Sequence, residues 1–327
     1  MASQSANPTF APAYFEEDRG PIARGTAIAF IVLEVTIVTL RFVSRRLIRA
    51  KLGLDDYLVF PALLFCLGLC ILAIIETYIA GIGRHLDVLA VSNPSAITNW
   101  SKCGYAIEEL YCVAVVFPKL SILASYLRIF LIQRYRYSAY ILGGIIVASG
   151  FAGVVASLAS CHPFSARWKG VEYAYFHCID TVAYWRWISL PNIVTDVVML
   201  VLPLPVIWGL RMSKKERAAL TFIFITGSMG LVTSIIRFTI FFNVKALIYD
   251  GTFVSAELAI WSLVEPGIYL VAACLPTLRP LILKLFSGVR AVKSTSNNSS
   301  GPSGIQLEWR QQRGNDQRSD EDSILGH

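Results

Sequence analysis

The sequence predicts an all-α membrane protein, a seven-transmembrane helix bundle with its N-terminus outside and its C-terminus cytosolic. Three observations carry that expectation. Of 327 residues, 55% are hydrophobic and 16% charged, with a mean hydropathy of +0.57, whereas soluble domains carry roughly 25% charged residues. A hydrocarbon core ~30 Å thick needs about 20 apolar residues per helix, and the chain supplies seven such runs. Basic residues are concentrated in alternate loops, which orients a multi-span chain.

The first 20 residues are read as an extracellular segment without a basic region followed by a short apolar core, so the first span is expected to act as the insertion signal. Span one covers 24–40, and the segment after it carries Arg41, Arg45, Arg46, Arg49 and Lys51. Span two, 56–80, opens with "LDDYL", where Asp55 and Asp56 suit a helix N-terminus as caps. Span three, 105–127, is followed by Arg128, Arg134 and Arg136. Span four, 138–160, has no charge and repeats small residues at Ser149, Gly153 and Ser157, which permits close packing inside the bundle. Span five, 185–210, contains Pro203 and Pro205, which are expected to kink it. Span six is 218–242 and span seven 257–281. The spanning domain is placed at 21–286, and 287–327, polar and rich in Ser, Gln and Gly, is read as a disordered cytosolic tail.

The net charge of +7 belongs to a cytosolic collar facing anionic lipid. The basic residues sit at helix ends and form no separate domain, so the bilayer is the expected partner and nucleic acid is not. Of seven cysteines, Cys103, Cys161 and Cys178 fall on the outer side, where disulfides persist. Cys161–Cys178 is the expected pair because it staples the longest outer loop; Cys103 joined to one of them is the rival. His162 and His177 adjoin these cysteines, but their spacing fits no standard metal pattern.

The order of "LGLDDYLVFPALL", "GIGRH", "PKLSILASYLRIF", "CHPFSARW", "NIVTDVVMLVLPLPVIWGLRM" and "EPGIYLVAACLPTLRP" resembles the fungal rhodopsin-like integral membrane proteins. That group includes a receptor-like branch linked to surface sensing and a branch found beside toxin biosynthesis genes such as the satratoxin cluster. The resemblance implies a seven-helix fold and little about biochemical activity. A retinal pigment needs a lysine in the last helix for its Schiff base, and residues 257–279 contain none. No cofactor is expected.

An ionisable side chain near the bilayer centre costs about 2.5–3.5 kcal/mol even on lenient scales, so each marks a candidate site. Here these are Glu34, Glu76, Lys119, Asp196, Arg237 and Glu265, with Glu108 and Glu109 near the outer mouth. At 1.5 Å per residue, Glu76, Arg237 and Glu265 lie ~8–12 Å deep and Asp196, Glu34 and Lys119 ~15–20 Å deep. The pattern predicts two levels of opposite charge, Arg237 with Glu265 or Glu76 and Lys119 with Asp196 or Glu34. These are either structural clamps or the lining of an outward-opening ligand cavity. Outer-half aromatics, Trp100, Tyr105, Tyr111, Tyr184, Trp185, Trp187 and Trp261, are read mainly as an interfacial belt.

No catalytic or metal motif is visible. The leading expectation is a receptor or sensor of a small extracellular or lipophilic ligand, with a cytosolic signalling partner. The alternative is a membrane-embedded accessory enzyme of cyclase or isomerase type, serving a secondary-metabolite pathway and using Glu76 or Glu265 as proton donor.

Overall fold

The computed structural model describes residues 17–49, 51–129, 132–205, 214–242 and 249–295. The chain divides into two compact units, Met1–Pro280 and Leu281–His327. The described part of the second is helical backbone up to residue 295.

Helix α1, Gly20–Ile48, has proline in its first turn and Arg45 and Arg46 in its last, basic residues placed where the helix dipole is negative. It stops at Arg49, whose φ of 52° is left-handed. Helix α2, Leu54–Ile79, starts where Asp56 Oδ2 accepts the Gly53 N–H at 3.0 Å. A short helix α3, Leu86–Ser92, leads into α4, Pro94–Ala114, and α5, Val116–Ile129. The last two divide at Val115 because Pro118 has no N–H for the Ala114 carbonyl. Helix α6, Gln133–Leu158, precedes a loop that holds a 3₁₀ turn, Phe164–Trp168, and helix α7, Val171–His177. A Cys161–Cys178 disulfide closes this loop. Helix α8, Thr181–Val201, is capped by Asp180, which accepts the N–H groups of Val182 and Ala183. Helices α9, Lys214–Ile240, and α10, Gly251–Thr295, follow. Among the described residues the extended pairing is confined to an isolated bridge between Cys161 and Cys178.

Five helical stretches are long and apolar enough to cross a membrane: Gly20–Ile48, Leu54–Ile79, Pro94–Arg128, Gln133–Leu158 and Gly251–Leu278. Phe224–Ile240 is a shorter apolar helix. Helix α8 carries Arg186, Asn192 and Asp196, and these polar residues separate it from the plain apolar spans.

Polarity is inverted relative to a soluble protein. Leu64, Phe151 and Trp187 are about 70% exposed (68, 70 and 73%), while Glu34, Arg41, Lys119 and Glu265 are fully buried. Apolar side chains outside and ionisable ones gathered inside are what a hydrocarbon solvent selects.

The fifth helix breaks at its proline: α8 ends at Val201, Leu202 and Pro203 form a turn, and the backbone is helical again at 204–205, since Pro203 has no N–H for the Met199 carbonyl. Residues 206–213 lie outside the described residues. Two expectations are corrected here. The last helix persists to Thr295, past the expected boundary at 286, because 281–295 contains good helix formers, a single glycine and no proline. The tail 296–327 lies outside the described residues. Finally, Asp55 and Asp56 do more than cap α2. Both are buried against Arg41 and Arg45 of α1, at 2.6 and 2.8 Å from Arg41 and 2.6 and 3.2 Å from Arg45.

The first and last spanning helices are joined at both ends. At one end Arg41 Nη1 donates to the Ala273 carbonyl at 2.5 Å and Ser44 Oγ to the Thr277 carbonyl at 2.7 Å. At the other, Arg19 N donates to Gly83 O and Gly83 N to Thr252 O, each at 3.0 Å. Gly83 has φ +95°, and a Cβ there would lie 2.4 Å from the Gly20 nitrogen. Only glycine fits that junction.

Candidate functional site

Five helices bring the buried charges and their partners together. Helix α4 contributes Tyr111 and α5 Lys119; α8 contributes Ser189, Asn192, Thr195 and Asp196; α9 contributes Gly230, Ser234 and Arg237; α10 contributes Glu265 and Tyr269. Within α8, residues 189, 192 and 196 share a face, as do 230, 234 and 237 of α9.

Glu265 is the hub. Its carboxylate accepts Tyr111 Oη at 2.8 Å, Asn192 Nδ2 at 2.5 Å, Ser234 Oγ at 2.6 Å and Arg237 Nε at 3.2 Å. Asp196 lies 2.7 Å from Lys119 Nζ and accepts Tyr269 Oη at 2.6 Å, and Ser234 Oγ stands 2.8 Å from it while its one proton goes to Glu265. Lys119 also donates to Asn192 Oδ1 at 2.6 Å and Thr195 Oγ1 at 3.2 Å. Ser234, Asn192 and Tyr269 therefore touch both acids or their partners, and the two charge levels form one connected network. Aromatic faces cover its cations, with Tyr111 4.0 Å below the Arg237 guanidinium and Tyr269 4.9 Å from Lys119 Nζ. Gly230 makes this possible: a Cβ there would stand 2.3 Å from the Tyr269 ring.

The other two sequence-predicted acids stand apart. Glu34 is fully buried, and neither of its oxygens has a hydrogen-bond partner among the described residues. It does not reach Lys119, which Asp196 and Asn192 engage. Glu76 is 2% exposed and likewise is not the partner of Arg237, which Glu265 holds.

Above the network opens a cavity of about 1080 Å³. Lys119, Asn192 and Arg237 lie on its inner wall, and the disulfide-closed loop contributes Arg167, Trp168 and Tyr175 to its rim. Glu108 anchors that loop. It pairs with Arg167 and accepts Ser157 Oγ at 2.6 Å and Trp185 Nε1 at 3.1 Å. Ser157 and Gly153 of α6 pack inward: the Gly153 carbonyl accepts Tyr184 Oη at 2.9 Å, and a Cβ at Gly153 would meet Ile188 at 2.3 Å.

The aromatics divide differently from a belt. Trp100, Tyr105, Tyr111, Tyr184 and Trp185 line the cavity, while Trp187 faces outward. Sequence reasoning missed Tyr111, Asn192, Ser234 and Tyr269 as network members, and Arg167 as the partner of Glu108. The i, i+3, i+7 spacing of Ser189, Asn192 and Asp196, and the i, i+4 spacing of Glu265 and Tyr269, are the signals that mark them.

Residues 40–284 match the family described as the fungal rhodopsin domain. The chain belongs to that family. The matched region of this fungal rhodopsin domain protein includes the network and Glu76 and leaves Glu34 outside. The chain is 38% identical to "Polyenoic acids biosynthesis gene cluster protein Ba17b" of Metarhizium anisopliae, over 84% of this chain and 77% of that protein. It is 28% identical to a "SAT4 family membrane protein" of Emericella nidulans, over 66% of this chain and 54% of the relative. It is 21% identical to "Receptor GIN3" of Arthrobotrys oligospora, over 62% of this chain and 50% of the receptor. No solved structure matches this fungal rhodopsin domain protein.

Proposed function

We propose that this chain is a seven-span, multi-pass membrane receptor or sensor whose cavity takes a small lipophilic or amphipathic ligand from the outer side. Helices α8 and α9 supply the fifth and sixth spans, giving an outside N-terminus and a cytosolic C-terminus. The observation that carries the reading is the cavity of about 1080 Å³, ample for a small molecule between helices, with a charged network as its floor. A ligand seated there touches Lys119, Asn192 and Arg237, and through them helices α5, α8, α9 and α10. Shifting those contacts alters the helix ends that meet a cytosolic partner. The relative named as a receptor supports this reading. Lys119 is held by Asp196 on a helix other than the last, which supports a non-pigment role.

A second reading is favoured by the relative named for a biosynthesis gene cluster: an accessory enzyme for a lipophilic intermediate. In that case Glu76 is the proton donor, because the carboxylate of Glu265 is already held by four donors.

One experiment separates the two. The purified full chain in nanodiscs is incubated with a lipid extract of the source cells, and bound and free compounds are followed by mass spectrometry. A receptor enriches particular compounds and returns them unaltered; an enzyme changes their masses. Gly104 lines the cavity, and a Cβ there meets nothing within 4 Å, so Gly104→Trp starts its side chain in open space and should remove the enrichment. Enrichment unchanged in that variant would sink the cavity as the ligand site. A C-terminal epitope reachable by antibody on intact cells would sink the orientation.

A further inference from the structure

We propose that the cavity selects an amphipathic ligand carrying a protonated amine, with Glu76 as its anchor and the aromatic wall as the seat of its apolar body. This rests on the cavity being a ligand site, as proposed above, and adds the chemistry of the head group.

The charges on the wall are not equivalent. Lys119 is paired with Asp196, Arg237 with Glu265, and Arg167 with Glu108. Arg186 donates Nε and Nη2 to the Phe241 carbonyl at 3.0 and 2.9 Å and rests 4.7 Å from the Phe242 ring. Glu76 differs from all of them. It lines the cavity, is 2% exposed, and no hydrogen bond or ion pair holds its side chain among the described residues, though its oxygens are not wholly sealed from the cavity. A carboxyl group largely withdrawn from water without a donor carries a desolvation cost that nothing repays inside the protein. A ligand that brings the donor removes that cost, and a charged N–H does so more strongly than a neutral hydroxyl. A carboxylate head would instead meet like charge.

The surroundings suit a cation as well. Trp100 and Tyr105 line the same cavity. Trp100 packs on the cluster containing Ala80, one helical turn beyond Glu76. Aromatic faces attract cations, and here two already do so, with Arg237 over Tyr111 at 4.0 Å and Arg167 over Tyr105 at 4.7 Å.

The test is equilibrium binding of radiolabelled decylamine, decanol and decanoate to the full chain in phosphatidylcholine nanodiscs, with empty nanodiscs subtracted. Decylamine should bind at least about tenfold more tightly than decanoate, the difference expected of one charge-assisted contact. Glu76→Gln should bring decylamine down to the level of decanol while its thermal midpoint stays at or above that of the parent. Decanoate binding as tightly as decylamine would make a wall cation, Arg186 or Lys169, the anchor and overturn the proposal, as would an amine preference that survives Glu76→Gln. The preference of the unmodified chain decides the matter even where the variant does not fold. Adding phosphatidylethanolamine to the discs distinguishes a free amine from a lipid headgroup: competition with decylamine assigns the site to the lipid amine, and its absence to a free one. If none of the three probes binds, or Gly104→Trp leaves binding intact, the ligand cavity itself fails. If all three bind equally and Gly104→Trp blocks them, the head-group assignment alone falls.

Discussion

Glu265 and Glu34 are both carboxyl groups with no exposure, yet they have opposite energetic meanings. Removing one member of a buried ion pair leaves its partner uncompensated and costs about 3–5 kcal/mol. Glu265→Gln, which strands Arg237, should therefore lower the chain's unfolding free energy by about that much in denaturant titration. Among the described residues Glu34 has no partner to strand. Glu34→Met, which removes both oxygens, should leave stability unchanged or raise it by about 1–3 kcal/mol, the cost of a buried unsatisfied polar group; a clear loss would reveal a partner for Glu34. At this scale the sequence was half legible. Depth along each helix matched Arg237 to Glu265 and Lys119 to Asp196, because charge in hydrocarbon must be neutralised nearby. Depth alone left Glu34 and Glu76 as equally good partners, since it says nothing of the angle around the bundle. The uncharged bridging residues stayed hidden because a lone Ser, Asn or Tyr in a span is ordinary.

Among the elements, the joint between α1 and α2 was misread for a related reason. Arg41 and Arg45 looked like members of a solvated collar, and Asp55 and Asp56 like caps. Helix α1 continues to Ile48, and that extra length carries both arginines into the helix hairpin. Arg41 binds Asp55, Asp56 and the Ala273 carbonyl at once, which requires a planar fork of donors. Arg41→Lys should then be as damaging as Arg41→Met, each lowering the thermal midpoint by several degrees, because an ammonium cannot reproduce the bidentate geometry. A lysine variant melting with the parent would refute that view. The contact of α9 with α10 depends instead on an absent side chain. Gly230→Ala drives a methyl into the Tyr269 ring and should cost about 1–3 kcal/mol as overpacking, measurable as a lowered thermal midpoint. Nothing in the sequence singled out Gly230, since its role lies in which ring it faces.

Across the whole molecule, the apolar runs and their alternating basic loops announced a membrane bundle without reference to any single contact. Such a signal is summed over many residues and survives errors of several positions at each boundary. The closure of the first spanning helix against the last is of another kind. It uses backbone groups, which no residue pattern reports. Gly83→Ala tests it: the added methyl overlaps the Arg19–Gly20 backbone, so the variant should show faster hydrogen exchange at residues 19–25 and 250–256, with the inner network unaffected.

That closure also bears on how the chain is made. Arg41 meets Asp55 and Asp56 across only 14 and 15 residues, but the Ala273 carbonyl lies 232 residues downstream. The hairpin of α1 and α2 therefore holds two partners of this guanidinium within a short stretch of chain, and the third arrives only with α10.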